Sequence, residues 1–280
     1  MVVGETRPDR RNTASADHRI RRIAVLRRVS GMPADTAFRS ALAQPSNGLW
    51  LSSADPQLAH ALASAFDWAC IDEQHGYATA GDTGRLIDAV QAAQRPALVR
   101  VAWNRPELIG RALDSGATGV IVPMVESADE ARQAVRAARY APYGRRSLGP
   151  IRSSLGSRRL SIADAEAGTV CLVMVESPEA LERVNEIAAT PGLDGIFVGP
   201  FDLSLSLGRE VDELLSDTSA EAPIGRIVEA CRLHGIVAAG YAGALDRAPI
   251  LRQCGFAAIA ATSDTELVQL AAREAAARLS

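Results

Sequence analysis

From residue 36 onward, short apolar runs alternate with longer stretches in which apolar positions recur at helical spacing. The apolar runs fall at 48–53, 67–72, 97–101, 119–124, 170–176, 195–199, 236–241 and 257–262. They are short and mostly continuous in apolar character, as strands buried on both faces of a parallel sheet should be. Amphipathic segments lie between them, among them 82–93, 106–114, 128–138, 178–189, 222–234 and 244–253. Helix starts are marked by prolines in Arg105-Pro106 and Ser177-Pro178 and by Ser127 as a cap, and helix stops by Gly116 and Gly235. Eight such strands with intervening helices predict an α/β fold, a (β/α)8 TIM barrel. An open doubly wound sheet would need a glycine-rich phosphate loop after its first strand, and Leu51-Ser52-Ser53-Ala54-Asp55-Pro56 offers none. The connection 140–169 is long for a compact domain, which predicts a functional or partly structured segment.

Composition places limits on this picture. Residues 34–280 are assigned to the barrel, whereas residues 1–33 read as an Arg-rich extension, disordered or preceding the true start at Met32. Residues 1–31 carry eight Arg against Glu5, Asp9 and Asp17, leaving an acidic remainder in a chain of net charge −3. The extension lacks interleaved aromatics and an amphipathic stripe, so no nucleic-acid or membrane partner is expected. No apolar run reaches the roughly 18 residues of a membrane helix. Cys70, Cys171, Cys231 and Cys254 form no C-x-x-C pair and read as free thiols, consistent with a cytoplasmic setting. The chain contains no lysine, all 30 basic residues being Arg. A lysine Schiff base is therefore excluded, and carbonyl chemistry would need a metal as electron sink.

The strand ends carry the candidate chemistry, because in parallel α/β folds those ends meet the substrate. Glu176 ends Cys171-Leu172-Val173-Met174-Val175-Glu176, and Asp202 follows Gly195-Ile196-Phe197-Val198-Gly199-Pro200. Terminating consecutive strands, they would sit about 5 Å apart across the sheet, within reach of one cation. Two carboxylates with few other ligands suit Mg²⁺ or Mn²⁺, with Co²⁺ also compatible, whereas Zn²⁺ would want more His or Cys. Of the four histidines, His75 alone lies at a strand mouth, three residues past Asp72. Arg100, near the end of the third strand, is costly there unless it is paired or aimed at developing negative charge.

These residues carry a resemblance. Phe66-Asp67-Trp68, Ile71-Asp72-Glu73-Gln74-His75-Gly76, Leu98-Val99-Arg100-Val101 and Gly116 through Val125 come first. Gly144-Arg145-Arg146-Ser147-Leu148-Gly149-Pro150, Val175-Glu176-Ser177 and Gly199-Pro200-Phe201-Asp202-Leu203-Ser204 follow in order and spacing. Together they resemble the HpcH/HpaI aldolase family, metal-dependent class II pyruvate aldolases related to citrate lyase β subunits. The Asp-Leu-Glu-Asp-Ala-Val-like run usual in citrate lyase β and malyl-CoA lyase types is absent. The resemblance implies His75 as general base, Arg100 as stabiliser of an enolate oxygen, and Glu176 and Asp202 as metal ligands. It implies Asp72 and Asp114 as acids that orient the histidine. Trp50, Met174, Gly199, Pro200, Phe201 and Asp202 fall among the substrate-binding positions, a backbone group near Phe201 holding the pyruvyl carboxylate. Three positions depart from the family pattern: Gln74 for a Glu, Met174 for a Gln and Phe201 for an Ala.

The implied activity is reversible cleavage of 4-hydroxy-2-oxo acids to pyruvate and an aldehyde, by a homo-oligomer, hexameric on the family pattern. One alternative is a CoA-ester lyase of the citrate lyase β type, with Arg145, Arg146 and Arg152 contacting phosphates. The other is a homologue that binds keto acids without turnover, for which Gln74 and Met174 would speak.

Overall fold

The computed structural model describes residues 34–149, 161–217 and 219–279. The extension 1–33 and Arg152 lie outside the described residues. Eight parallel strands close into a barrel in sequence order, each paired with the next and the last with the first. They are β1 (Ser46–Leu51), β2 (Trp68–Asp72), β3 (Ala97–Arg100), β4 (Gly119–Val122), β5 (Val170–Val175), β6 (Gly195–Val198), β7 (Val237–Tyr241) and β8 (Ala258–Ser263). The helices are α1 (Ala34–Ala41), α2 (Pro56–Ala63), α3 (Thr83–Ala92), α4 (Pro106–Asp114), α5 (Ala128–Ala138) and α6 (Ile162–Gly168). They continue with α7 (Pro178–Glu182), α8 (Val184–Ala188), α9 (Pro200–Ser206), α10 (Val211–Ser216), α11 (Pro223–His234), α12 (Arg247–Gln253) and α13 (Asp264–Ala277).

The cap expected at Ser127 forms, its side chain accepting from the backbone N–H of Glu130, and Ser177, before the proline start at Pro178, likewise accepts from Ala180. Gly116 and Gly235 take the left-handed φ values of 99° and 65° that an L side chain disfavours. Segment 178–189, read as one helix, is two short helices broken at Arg183, which takes φ −101°, ψ 13°. The long connection is partly structured: its C-terminal part is α6, opened by a capping box between Ser161 and Asp164.

Strand periodicity separates two cores. On β5, Val170, Leu172 and Met174 point into the barrel while Cys171, Val173 and Val175 pack under the helices. The interior set also includes Trp50, Trp68, Leu98, Ile121, Phe197, Ala239 and Ala260. Phe38 and Leu42 join it from α1 and its end, closing the amino-terminal mouth of the barrel. Each such burial contributes about 1.5–3 kcal/mol. Asp194 ties this end together, accepting from Arg39 and Arg139, each at 2.7 Å, and from the Cys171 N–H at 2.8 Å. With Phe38 and Leu42 packed at this end, the candidate chemistry lies at the carboxyl ends of the strands.

Candidate active site

The period of two that fills the barrel with apolar side chains also delivers its polar layer. Continuing inward from Trp68 and Cys70 leads to Asp72; from Leu98 to Arg100; from Leu172 and Met174 to Glu176. Asp72 and Arg100 are register partners on β2 and β3, so the ion pair between them is a direct consequence of strand alignment. Arg100 grips the carboxylate with both arms, Nε to Oδ1 at 2.8 Å and Nη2 to Oδ2 at 2.7 Å. Its guanidinium also lies 4.9 Å from the centre of the Trp50 ring, whose Nε1–H donates to Asp72 Oδ2 at 3.2 Å. Burial alone would push the Asp72 carboxyl up, but the hydrogen bonds and charge of Arg100 outweigh it and hold the group below the usual carboxylate range. Burial likewise disfavours the charged Arg100, and Asp72 reverses that effect.

Asp72 therefore serves Arg100 and not the imidazole of His75. What it gives His75 is backbone placement: Oδ1 accepts the N–H of Gln74 at 3.0 Å and of His75 at 3.3 Å. The His75 residue is exposed beside this pair.

Glu176 is buried on the opposite side of the mouth, at 5% exposure. Its Oε2 accepts the backbone N–H of Met124 at 3.0 Å, and Met124 takes an unusual φ of 54° to present it. Burial raises the Glu176 carboxyl, and the nearby charge of Asp202 adds to the rise. Asp202 sits exposed in the first turn of α9, after Pro200. Gly199 makes the approach of α9 feasible, since a Cβ there would lie 2.7 Å from Glu176 Oε1 and 3.1 Å from Met174 Cε. Two facing carboxylates, one with an oxygen left free, form a donor set that suits a hard divalent cation completed by water or substrate oxygens. Among the described residues no group of three or more His, Cys, Asp or Glu assembles into a denser site.

Of the remaining expected positions, Trp50, Met174, Gly199, Pro200 and Phe201 all gather at this mouth. Met174 is buried, and Phe201 is 42% exposed. Asp114 does not join them within the chain. It ends α4, which runs back from the mouth toward the amino ends of the strands, and four residues later the Thr118 N–H donates to Ala97 O at the start of β3. There Asp114 accepts from Arg146 Nη2 at 2.9 Å. It lines an outer groove of about 710 Å³ between α4 and α5, together with Arg111, Arg136, Arg145 and Arg146. Arg146 is committed to Asp114 and to the Tyr140 ring, 4.7 Å away. All four cysteines are free.

Tyr241, Arg247 and Met124 belong to the mouth and were not singled out from the sequence. Tyr241 ends β7 at an inward position, the same signal that marked Glu176; nothing local marks Arg247 or the strained Met124.

A family model described as HpcH/HpaI aldolase/citrate lyase matches residues 46–271. A hydroxypyruvate/pyruvate aldolase from Paraburkholderia phytofirmans is 39% identical over 240 residues, covering 82% of this chain and 92% of its own. A 2-dehydro-3,6-dideoxy-6-sulfogluconate aldolase from Pseudomonas putida is 34% identical, over 81% of this chain and 89% of its own. Among solved structures, an HpcH/HpaI aldolase/citrate lyase family protein from Burkholderia cenocepacia superposes with a TM-score of 0.79 at 33% identity, covering 87% of this chain and 99% of that one.

Proposed function

The chain belongs to the HpcH/HpaI aldolase/citrate lyase family, and from that premise we propose that it cleaves 4-hydroxy-2-oxo acids to pyruvate and an aldehyde, reversibly and with a bound divalent cation. That it is a carbon–carbon lyase acting on small molecules is supported by the two aldolases named above. The observation that carries the finer reading is the pairing, across one mouth, of the Asp72–Arg100 clamp with the Glu176–Asp202 carboxylates.

Glu176 and Asp202 would hold the cation, which when bound supplies Lewis acidity toward a 2-oxo acid. Arg100 spends Nε and one Nη2 hydrogen on Asp72, leaving its other N–H groups for the oxygen on which enolate charge collects. Asp72 fixes the plane of that fork, so the stabilising donors need no reorganisation as charge develops. His75, exposed to the mouth and placed by the Asp72 carboxylate, takes the 4-hydroxyl proton as the C3–C4 bond breaks, directly or through water. In the reverse direction it accepts a proton from the pyruvate methyl. Backbone at Phe201 is suited to hold the substrate carboxylate at the start of α9.

We further propose that the chain self-associates through α13. From Val268 to its end this helix is exposed on every side, with Leu270 at 52% exposure, and an isolated helix of its length is marginal in water. The decisive experiment for the activity is pyruvate release from a panel of 4-hydroxy-2-oxo acids after dialysis against EDTA. Turnover should vanish and return with Mg²⁺ or Mn²⁺; undiminished turnover in EDTA would sink the mechanism.

A further inference from the structure

The side of the mouth formed by β1, β6, β7 and α9 carries a run of aromatic rings in tilted contact. Trp50 packs on Phe197 with centroids 5.6 Å apart and on Tyr241 at 5.3 Å. Tyr241 in turn meets Phe201 at 6.0 Å. An arginine closes the stack at each end: Arg100 over Trp50 at 4.9 Å, and Arg247 over Phe201 at 5.6 Å. The wall thus runs from the Asp72–Arg100 clamp to the rim, and its outer ring belongs to the chain neighbour of Asp202.

This outer ring is held in place. Gly243 has φ +73°, and a Cβ there would collide with the Phe201 ring. Arg247 is anchored from the other side by Asp212, with Nε 2.7 Å from Oδ1. Phe201 nonetheless keeps 42% of its surface open. A fixed, half-open aromatic face next to Asp202 is a surface against which a substrate can lie.

The indole N–H of Trp50 donates to Asp72 and Arg247 Nε to Asp212, so neither is open to a substrate hydroxyl. A polyhydroxylated chain laid on this wall would exchange water for ring faces and lose hydrogen bonds. A flat apolar body would stack and bury area.

We infer that this wall is the subsite for the aldehyde half of the substrate, and that it selects aldehydes with an aromatic or flat apolar body over polyhydroxylated ones. The inference rests on the aldolase reading above, and the experiment separates the two. Aldol addition of pyruvate to benzaldehyde and to glyceraldehyde is measured with metal-loaded enzyme. The wild type should favour benzaldehyde in kcat/KM by about tenfold, the scale of one or two ring contacts. Phe201→Ala and Tyr241→Leu should each draw that ratio toward one. Both aldehydes share the pyruvate half, so damage to that half cancels in the ratio. A second readout needs neither metal nor turnover: 2-phenylethanol should quench tryptophan fluorescence of the metal-free protein, binding about tenfold more weakly to Phe201→Ala. A preference for glyceraldehyde, or a ratio and an alcohol affinity that neither substitution moves, overturns the subsite alone if the wild type still exchanges the methyl protons of pyruvate. Absence of that exchange overturns the aldolase reading and the subsite with it.

Discussion

Asp72→Asn should cost this protein more stability than any other single-atom change at the mouth. The carboxylate accepts two charge-assisted hydrogen bonds from Arg100, one from Trp50, and the N–H groups of Gln74 and His75. An amide has one acceptor oxygen, and its NH₂ would face the guanidinium donor to donor. Two lost bonds to a charged group amount to about 3–6 kcal/mol at roughly 1.5–3 kcal/mol each. Breaking a buried pair from one side gives about 3–5 kcal/mol, and we adopt this range because the remaining oxygen can still serve Trp50 or the backbone. With side-chain exposures of 9% for Arg100 and 3% for Asp72, water can rescue little of the loss. Urea unfolding of the metal-free protein at pH 7 measures it. Arg100→Met combined with Asp72→Asn should be less destabilised than Asp72→Asn alone, since the stranded charge is gone. The pH dependence has a definite sign. Asp72 is held below the usual carboxylate range, so its contribution is complete above the unfolded value near ~3.9 and fades as pH falls through the lower folded value. The gap between wild type and Asp72→Asn should therefore narrow in acid. A loss under about 1 kcal/mol at pH 7, or a gap that widens in acid, refutes the clamp as the organiser of this site.

Three further outcomes follow from the same geometry. Gly199→Ala places a methyl 2.7 Å from Glu176 Oε1, so calorimetry should show divalent-metal affinity lowered by about 10–100-fold with the circular dichroism spectrum retained. Glu176→Ala and Asp202→Ala should each abolish metal-dependent turnover, and Glu176→Ala should also lower the Tm of the metal-free protein, because the Met124 N–H loses its acceptor; near-wild-type rates at low metal would show the ligands misassigned. Paired Val268→Glu and Leu270→Glu substitutions on the exposed face of α13 should shift the sedimentation coefficient to a smaller species, and no shift would exclude this helix as the interface.

Much of the fold was legible because its signals are local. Each barrel strand is a short apolar run between turn residues, and Ser127, Ser177, Gly116 and Gly235 mark their own helix ends. Glu176 and Arg100 were legible for a related reason: a charged residue at the inward end of a buried strand has few inexpensive explanations. Asp72 was expected to orient the histidine three residues on; the clamp it also forms on Arg100 follows from register, since the two residues close consecutive strands. Asp114 was assigned by resemblance alone, and helix direction carries it away from His75 within the chain. The break at Arg183 was invisible because 178–189 keeps helical spacing through it. The ring stack of Trp50, Tyr241 and Phe201 joins residues from three distant segments, so only tertiary structure brings it together.

On the proposed mechanism, His75 moves a proton to and from the carbon next to a 2-oxo acid carbonyl whose charge Arg100 stabilises. Exchange of the pyruvate methyl protons in deuterated water, followed by proton NMR, tests this without knowledge of the aldehyde. Wild-type protein with Mg²⁺ or Mn²⁺ should catalyse exchange well above the protein-free metal control, and His75→Ala should lower the rate by about 10²–10⁴-fold while still binding pyruvate. Tight metal-dependent binding of pyruvate by the wild type with no exchange above the control would contradict the account and leave a keto-acid-binding protein in its place.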